Sequence, residues 1–208
     1  MNTTAMDMTQ LVALAAALGW ASGLRLYAVV FLTGLAGHLG WVDLPSGLEL
    51  LEHPAMLWAS GGLLAVEFLA DKIPFVDSAW DALHTVIRIP AGAALAGAVF
   101  AGAGGDAAIW TTVAALIGGT LAATAHTAKA TTRAAVNTSP EPFSNIGLSL
   151  LGDAAVPAML WLAWEQPVLF FIALAFALVL AVVLIVALFK FVRAMLRRLR
   201  SRAAPAGV

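Results

Sequence analysis

The chain has 208 residues, of which 62% are hydrophobic and 11% charged, with no cysteine and a formal net charge of −1. A water-soluble domain carries about 25% charged residues, so this chain has too little polar surface to cover itself in water, and lipid is the solvent that fits. The charge balance offers no global field to attract nucleic acid, and the absence of cysteine excludes disulfides, thiolate metal sites and a thiol nucleophile.

A bilayer core of about 30 Å takes about 20 apolar residues as helix. Six stretches approach that length: 11–34, 55–71, 89–103, 107–126, 147–164 and 167–188. The expected fold is therefore all-α, an integral membrane bundle of six transmembrane helices forming one domain over residues 1–189, with a basic tail at 190–208.

The first span carries one base, Arg25, at mid-depth. The residues before it contain Asp7 and no Lys or Arg. A signal peptide needs a basic start, so the span is expected to be retained. The second span follows Pro54 and carries Glu67 and Asp71, four apart and therefore on one helix face. Lys72 follows at the membrane edge.

Residues 75–88 read as an amphipathic loop between Pro74 and Pro90. Phe75, Val76, Ala79, Trp80, Leu83, Val86 and Ile87 form an apolar side, and Asp77, Asp81, His84 and Arg88 form a polar stripe. Such a segment lies in the interface or re-enters the membrane, with its stripe expected to face water. Asp77, Asp81 and His84 are the candidate ligands for a divalent cation, the one cofactor the sequence suggests.

The third span is rich in small residues, Gly92, Ala93, Ala96, Gly97 and Ala101. These let helices approach closely, so it is expected at the centre. The fourth ends at His126, and Lys129 and Arg133 continue the same face. The run Asn137-Thr138-Ser139-Pro140-Glu141-Pro142-Phe143-Ser144-Asn145 suits turns and caps, with Ser144 or Asn145 capping the fifth span. Asp153 lies about two turns into that span. The sixth, built of bulky Leu, Val, Ile and Phe, is expected at the periphery.

Lys and Arg concentrate in cytoplasmic segments. Lys190, Arg193, Arg197, Arg198, Arg200 and Arg202 place the tail inside, and six spans then place the N-terminus inside as well. Ten of the 11 basic residues fall on that side. The outer segments hold only acids, Asp43, Glu49, Glu52, Asp106 and Glu165, and Trp41, Trp58, Trp110, Trp161 and Trp164 sit at the outer interface. Residues 61–72 also resemble 118–129, the mark of a parallel two-helix repeat, with both stretches opening on Gly-Gly and ending in Lys.

Glu67-Phe68-Leu69-Ala70-Asp71-Lys72-Ile73-Pro74, followed by Asp77, Asp81 and Arg88, resembles the signature of a bacterial multipass family known as domain of unknown function 4126. So do His126, Lys129-Ala130, Arg133 and Asn137, the stretch Ser149-Leu150-Leu151-Gly152-Asp153, and Gly34-Leu35-Ala36-Gly37 through Val42-Asp43-Leu44-Pro45. The resemblance covers about residues 10 to 190. It implies a helical fold in a bacterial plasma membrane and no particular activity. The chain departs from the family's pattern at Arg25, where a neutral polar residue is common, and at Gly152, where an acid is common.

Ionisable groups inside a membrane mark function by default. The candidate site comprises Arg25, Glu67, Asp71, Lys72, Asp77, Asp81, Arg88, His126, Lys129, Arg133, Asn137, Asn145 and Asp153. The leading expectation is a transporter or channel for an ion or small molecule, with a cation or proton favoured by Glu67 and Asp71. The second is a non-catalytic scaffold or lipid-binding protein, in which the charges only tie helices together. The third is an Mg²⁺-dependent enzyme acting on a phosphorylated lipid, since the pairs Glu67/Asp71 and Asp77/Asp81 resemble those of intramembrane prenyltransferases and Mg²⁺ takes oxygen ligands. Six short spans enclose a cavity poorly, so a homo-oligomer is also expected.

Overall fold

Asp7 opens the first helix. Its carboxylate accepts from the Gln10 N–H at 2.8 Å, and its own N–H donates to Gln10 Oε1 at 3.0 Å, a reciprocal capping box. The computed structural model describes residues 6–73, 75–102, 104–137 and 143–203, with 192 and 194–203 as backbone alone. These form α1 (Met8–His38), a short 3-10 helix (Ser46–Glu52), α2 (Pro54–Ala70), α3 (Val76–Ala98), α4 (Ala107–Val136), α5 (Phe143–Glu165) and α6 (Pro167–Ala203). Pro54 and Pro167 stand at first helical positions, where proline's missing N–H costs no hydrogen bond.

The distribution of polarity is inverted relative to a soluble protein. Trp58 is 83% exposed and Phe176 72%, while Glu67, Asp71, Asp77 and Arg88 are fully buried. Water would reverse both; lipid accepts both. Among the described residues, four helices are long and apolar enough to cross a membrane: α1, α4, α5, and α6 over Pro167–Phe191. The apolar α2 is shorter, at 17 residues. The chain is a helical membrane protein.

Three expectations change. First, 75–88 is not a separate interfacial loop. It is the first half of the continuous helix α3, and Pro90 lies inside that helix. Its polar stripe faces inward and is buried, whereas Leu83 and Val86 are 62% and 74% exposed. The helix is amphipathic in the sense that suits a lipid-facing bundle.

Second, α1 is broken at mid-length. Arg25 has non-helical φ −146° and ψ 77°, which divides α1 into arms 8–24 and 26–38. Phe100, just past α3, lines a small cavity with Ala15 and Ala16 of the first arm. At that same end, a Cβ at Gly47 would strike the Ala98 carbonyl, and a Cβ at Gly34 would strike the Leu51 carbonyl. Gly47 and Leu51 belong to one 3-10 helix and stand about 8 Å apart along it. A straight α1 would carry Gly34 about 27 Å beyond Ala16. The second arm therefore runs back beside the first, and α1 is a helical hairpin with Arg25 at its tip.

Third, α1 begins and α6 ends at opposite ends of the bundle. Gln10 Nε2 donates to the Trp164 carbonyl at 3.2 Å, so α1 begins where α5 ends. The chain then turns at Gln166 into α6, which runs to the opposite end. Among the described residues, the fold is a hairpin wrapped by the 3-10 helix and α2 to α6.

The 8–24 arm occupies the centre that span three was expected to fill; Ala13 through Gly23 are all buried. Its small residues allow this. A Cβ at Gly19 would stand 2.5 Å from Gly118 Cα, and one at Gly23 would strike the Ala122 carbonyl. The outer position of α6 is as expected, with Phe176, Val179, Val183 and Phe189 exposed. Its backbone stays helical through Ala203, so 190–203 extends α6. Pro74, Ala103 and Thr138 through Pro142 lie outside the described residues, as do the side chains of Arg197, Arg198, Arg200 and Arg202.

Candidate functional site

The tip of the hairpin defines the site. The Arg25 guanidinium pairs with Asp71 and, through Nη2, with Asp153 at 2.8 Å. The same nitrogen donates to the Ser149 carbonyl at 3.1 Å and to Ser149 Oγ at 3.0 Å. The break also exposes main chain to side chains: Lys129 Nζ donates to the Leu24 carbonyl at 2.9 Å.

Asp71, at the C-cap of α2, is the hub. Its Oδ2 faces Arg25, Lys129 at 3.2 Å and Arg133 at 3.2 Å. Arg133 also donates to the Asp71 carbonyl at 3.0 Å and to Asp77 at 3.1 Å. Asn137 adds a donor to Asp77 at 3.0 Å. On the other flank, Arg88 lies between Glu67 at 2.5 Å and Asp81 at 2.6 Å. Lys129 meets Asp81 at 3.1 Å and so joins the two flanks. At the edge, Lys72 pairs with Asp153 at 3.1 Å, and these two are 23% and 21% exposed.

Arg25, Lys72, Arg88, Lys129 and Arg133 thus meet Glu67, Asp71, Asp77, Asp81 and Asp153, equal numbers of each sign. That balance is what makes burial tolerable, because an unpaired ion costs several kcal/mol to desolvate.

Two histidines complete the layer. His84 Nδ1 lies 2.8 Å from the Trp80 carbonyl, which only accepts, so Nδ1 carries the hydrogen and Nε2 accepts from Tyr27 OH at 3.0 Å. Thr85 donates to the Asp81 carbonyl at 3.0 Å, and its Oγ1 lies 2.8 Å from His126 Nε2. His126 Nδ1 lies 3.4 Å from Arg88 Nη1.

All the residues expected at the site join this network except Asn145. It is buried, and both its amide atoms lack a hydrogen-bond partner among the described residues. Asp77, Asp81 and His84, the expected cation ligands, turn instead to Arg133, Arg88 and Tyr27. No group of three His, Asp or Glu among the described residues is arranged to hold a metal. Ser149, although part of the resembled stretch 149–153, was not placed in the candidate site from the sequence, and neither were Thr85 and Tyr27. Ser149 and Thr85 stand four residues from Asp153 and Asp81, a helical spacing that could have flagged them. Tyr27 is the chain's one tyrosine and carries no such signal.

A cavity of about 270 Å³ opens beside the tip between α1, α4, α5 and α6. Its surface is almost wholly apolar, and the buried, paired Arg25, Asp71, Lys129 and Arg133 border it. Gly152 borders it, and a Cβ there would stand 3.8 Å from Arg25 Nε. The two positions at which the chain departs from the resembled pattern therefore face each other.

No curated protein and no solved structure is significantly similar to the chain. Residues 12–187 match the family described as Domain of unknown function (DUF4126); the hairpin tip, α2 to α5 and the ion pairs described above lie within that match, and the chain belongs to this family.

Proposed function

We propose that the chain is a small membrane transporter in which the hairpin tip and its ion network form the gated site. The observation that carries this reading is a main-chain break at Arg25 set among buried charges and beside a cavity. Non-helical backbone at membrane depth persists where protein buries it or a cavity needs it, and broken helices hold the sites of many transporters. Shared partners give the network more than one arrangement: Asp71 serves three cations and Arg88 two carboxylates. A proton or charged solute arriving at the tip changes which pairs are favoured, and the hairpin arms move with them.

In this reading α2 to α6 cross the bilayer, the hairpin re-enters from the outer face, and the basic end of α6 is cytoplasmic in a bacterial plasma membrane. The N-terminus is then outside. α2 and α4 run in the same direction, as the parallel repeat requires, and each is followed or closed by a lysine on a network carboxylate, Lys72 on Asp153 and Lys129 on Asp71.

Charge movement in proteoliposomes, recorded on a solid-supported membrane across inorganic ions, organic anions and pH jumps, tests the proposal. The expected result is a saturable current that Arg25→Gln abolishes, with Asp71 still held by Lys129 and Arg133. Silence across the panel from folded protein would favour a second reading, a scaffold whose complete pairing only ties helices together.

A further inference from the structure

The five carboxylates of the network are not held alike among the described residues. Asp71 faces three cations, and Asp153 faces two, one on each oxygen. Both oxygens of Asp77 accept, from Arg133, Asn137 and the Ser78 N–H. Asp81 meets Arg88 and Lys129 at Oδ1, and Arg133 Nε lies 3.9 Å from its Oδ2. Glu67 has a single cation, Arg88, and shares it with Asp81. Its Oε1 takes that bond, while Oε2 is buried with no hydrogen-bond partner.

We infer that Glu67 is the proton-binding residue of the network and takes H⁺ on Oε2. A carboxylate oxygen buried without a donor is costly as an anion, and neutralising the group relieves that cost. The new O–H bond breaks no covalent bond and strands no cation, because Arg88 keeps Asp81 and still donates to Oε1. A proton on Asp71 would instead leave three cations around one neutral group. Size points the same way: neither of the two cavities described above borders Glu67, and a proton needs none. The charged and titratable groups around Glu67 are Arg88, Asp81 and His84 of α3, Tyr27 of the second arm, and His126 and Lys129 of α4, which reach Arg88 and Asp81. Uptake changes the network from five cations against five carboxylates to five against four. Tyr27, two residues past the break, feels the charges of Glu67 and Arg88, so the change reaches the hairpin. The inference names the ion and its residue for the transport reading and rests on that reading for its purpose.

Infrared difference spectroscopy of the full chain in lipid membranes, taken across a pH titration, reads the proton directly. A protonated carboxyl shows a C=O stretch that an ionised one lacks, and the band moves in heavy water. Wild type should gain such a band reversibly as the pH falls, while circular dichroism shows the helices intact. Glu67→Gln keeps an oxygen for Arg88 and should lose that band from the difference spectrum. Glu67→Asp keeps a carboxyl in a changed setting and should shift the band without removing it, which tests the assignment even where the glutamine variant does not fold. A band left unchanged by both substitutions would overturn the inference. So would a pH response confined to the imidazole bands of His84 and His126, with no carboxyl band that depends on Glu67. The band without current in proteoliposomes would leave the proton site standing and remove transport; current without the band would do the reverse.

Discussion

Arg88 shows what the membrane demands of one residue. Fully buried, it holds Glu67 and Asp81 at 2.5 and 2.6 Å, and truncating it orphans Glu67 where water cannot reach while Asp81 keeps Lys129 at 3.1 Å. Removing one partner of a buried pair costs about 3–5 kcal/mol, so Arg88→Met should lower stability by that amount. Lys72→Met, at the partly exposed edge, should cost about 0–1 kcal/mol. Adding Glu67→Gln to Arg88→Met should recover part of the loss, because one stranded charge is gone. Unfolding in detergent, followed by circular dichroism, measures all three. Equal losses for Arg88→Met and Lys72→Met would show that burial does not set the value of these pairs. At this scale the sequence was informative, since a Glu, Asp or Arg within an apolar run stands out by its cost. It did not show who pairs with whom. Arg25 and Asp153 are 128 positions apart, and only the hairpin and α5 bring them together.

The elements explain where that reading stopped. In residues 75–88 the helical period was plain, but a polar stripe faces water in one solvent and protein in the other, and the period does not name the solvent. The hairpin is harder still: an apolar stretch broken by one arginine has the same hydropathy whether it crosses or turns back. The glycines carry more of this than their number suggests. The Gly-Gly pairs at 61–62 and 118–119 look alike, yet Gly118 meets Gly19 and Ala96 while a Cβ at Gly62 would meet nothing. Gly62→Ala should therefore be neutral or stabilising by up to about 1 kcal/mol, the gain in helix propensity. Gly23→Val would drive a side chain into the Ala122 carbonyl and should cost about 1–3 kcal/mol or more. The same detergent unfolding assay compares them, and a neutral Gly23→Val would mean that the arm 8–24 is not clamped against α4.

Over the whole molecule, the proposed arrangement keeps the bases at one end and the acids and tryptophans Trp41, Trp58, Trp110, Trp161 and Trp164 at the other, and moves only the N-terminus to the outer side. A hint was present, because residues 1–10 hold Asp7 and no base, which is the composition of the outer segments and not of the inner ones. Counting spans overrode it. Whether α1 crosses once or turns back at Arg25 alters the parity of the chain, so one experiment separates the two. The protein lacks cysteine, and single cysteines can be introduced without first removing others. Met8, Leu50, Phe143 and Phe191 are all well exposed. In intact cells a membrane-impermeant maleimide should label Met8→Cys and Leu50→Cys. It should reach Phe143→Cys and Phe191→Cys only after the membrane is opened. A crossing α1 predicts instead that Met8→Cys is protected with the latter pair. Protection of Met8→Cys would return α1 to a single span, and with it would go the re-entrant tip on which the gated site is built.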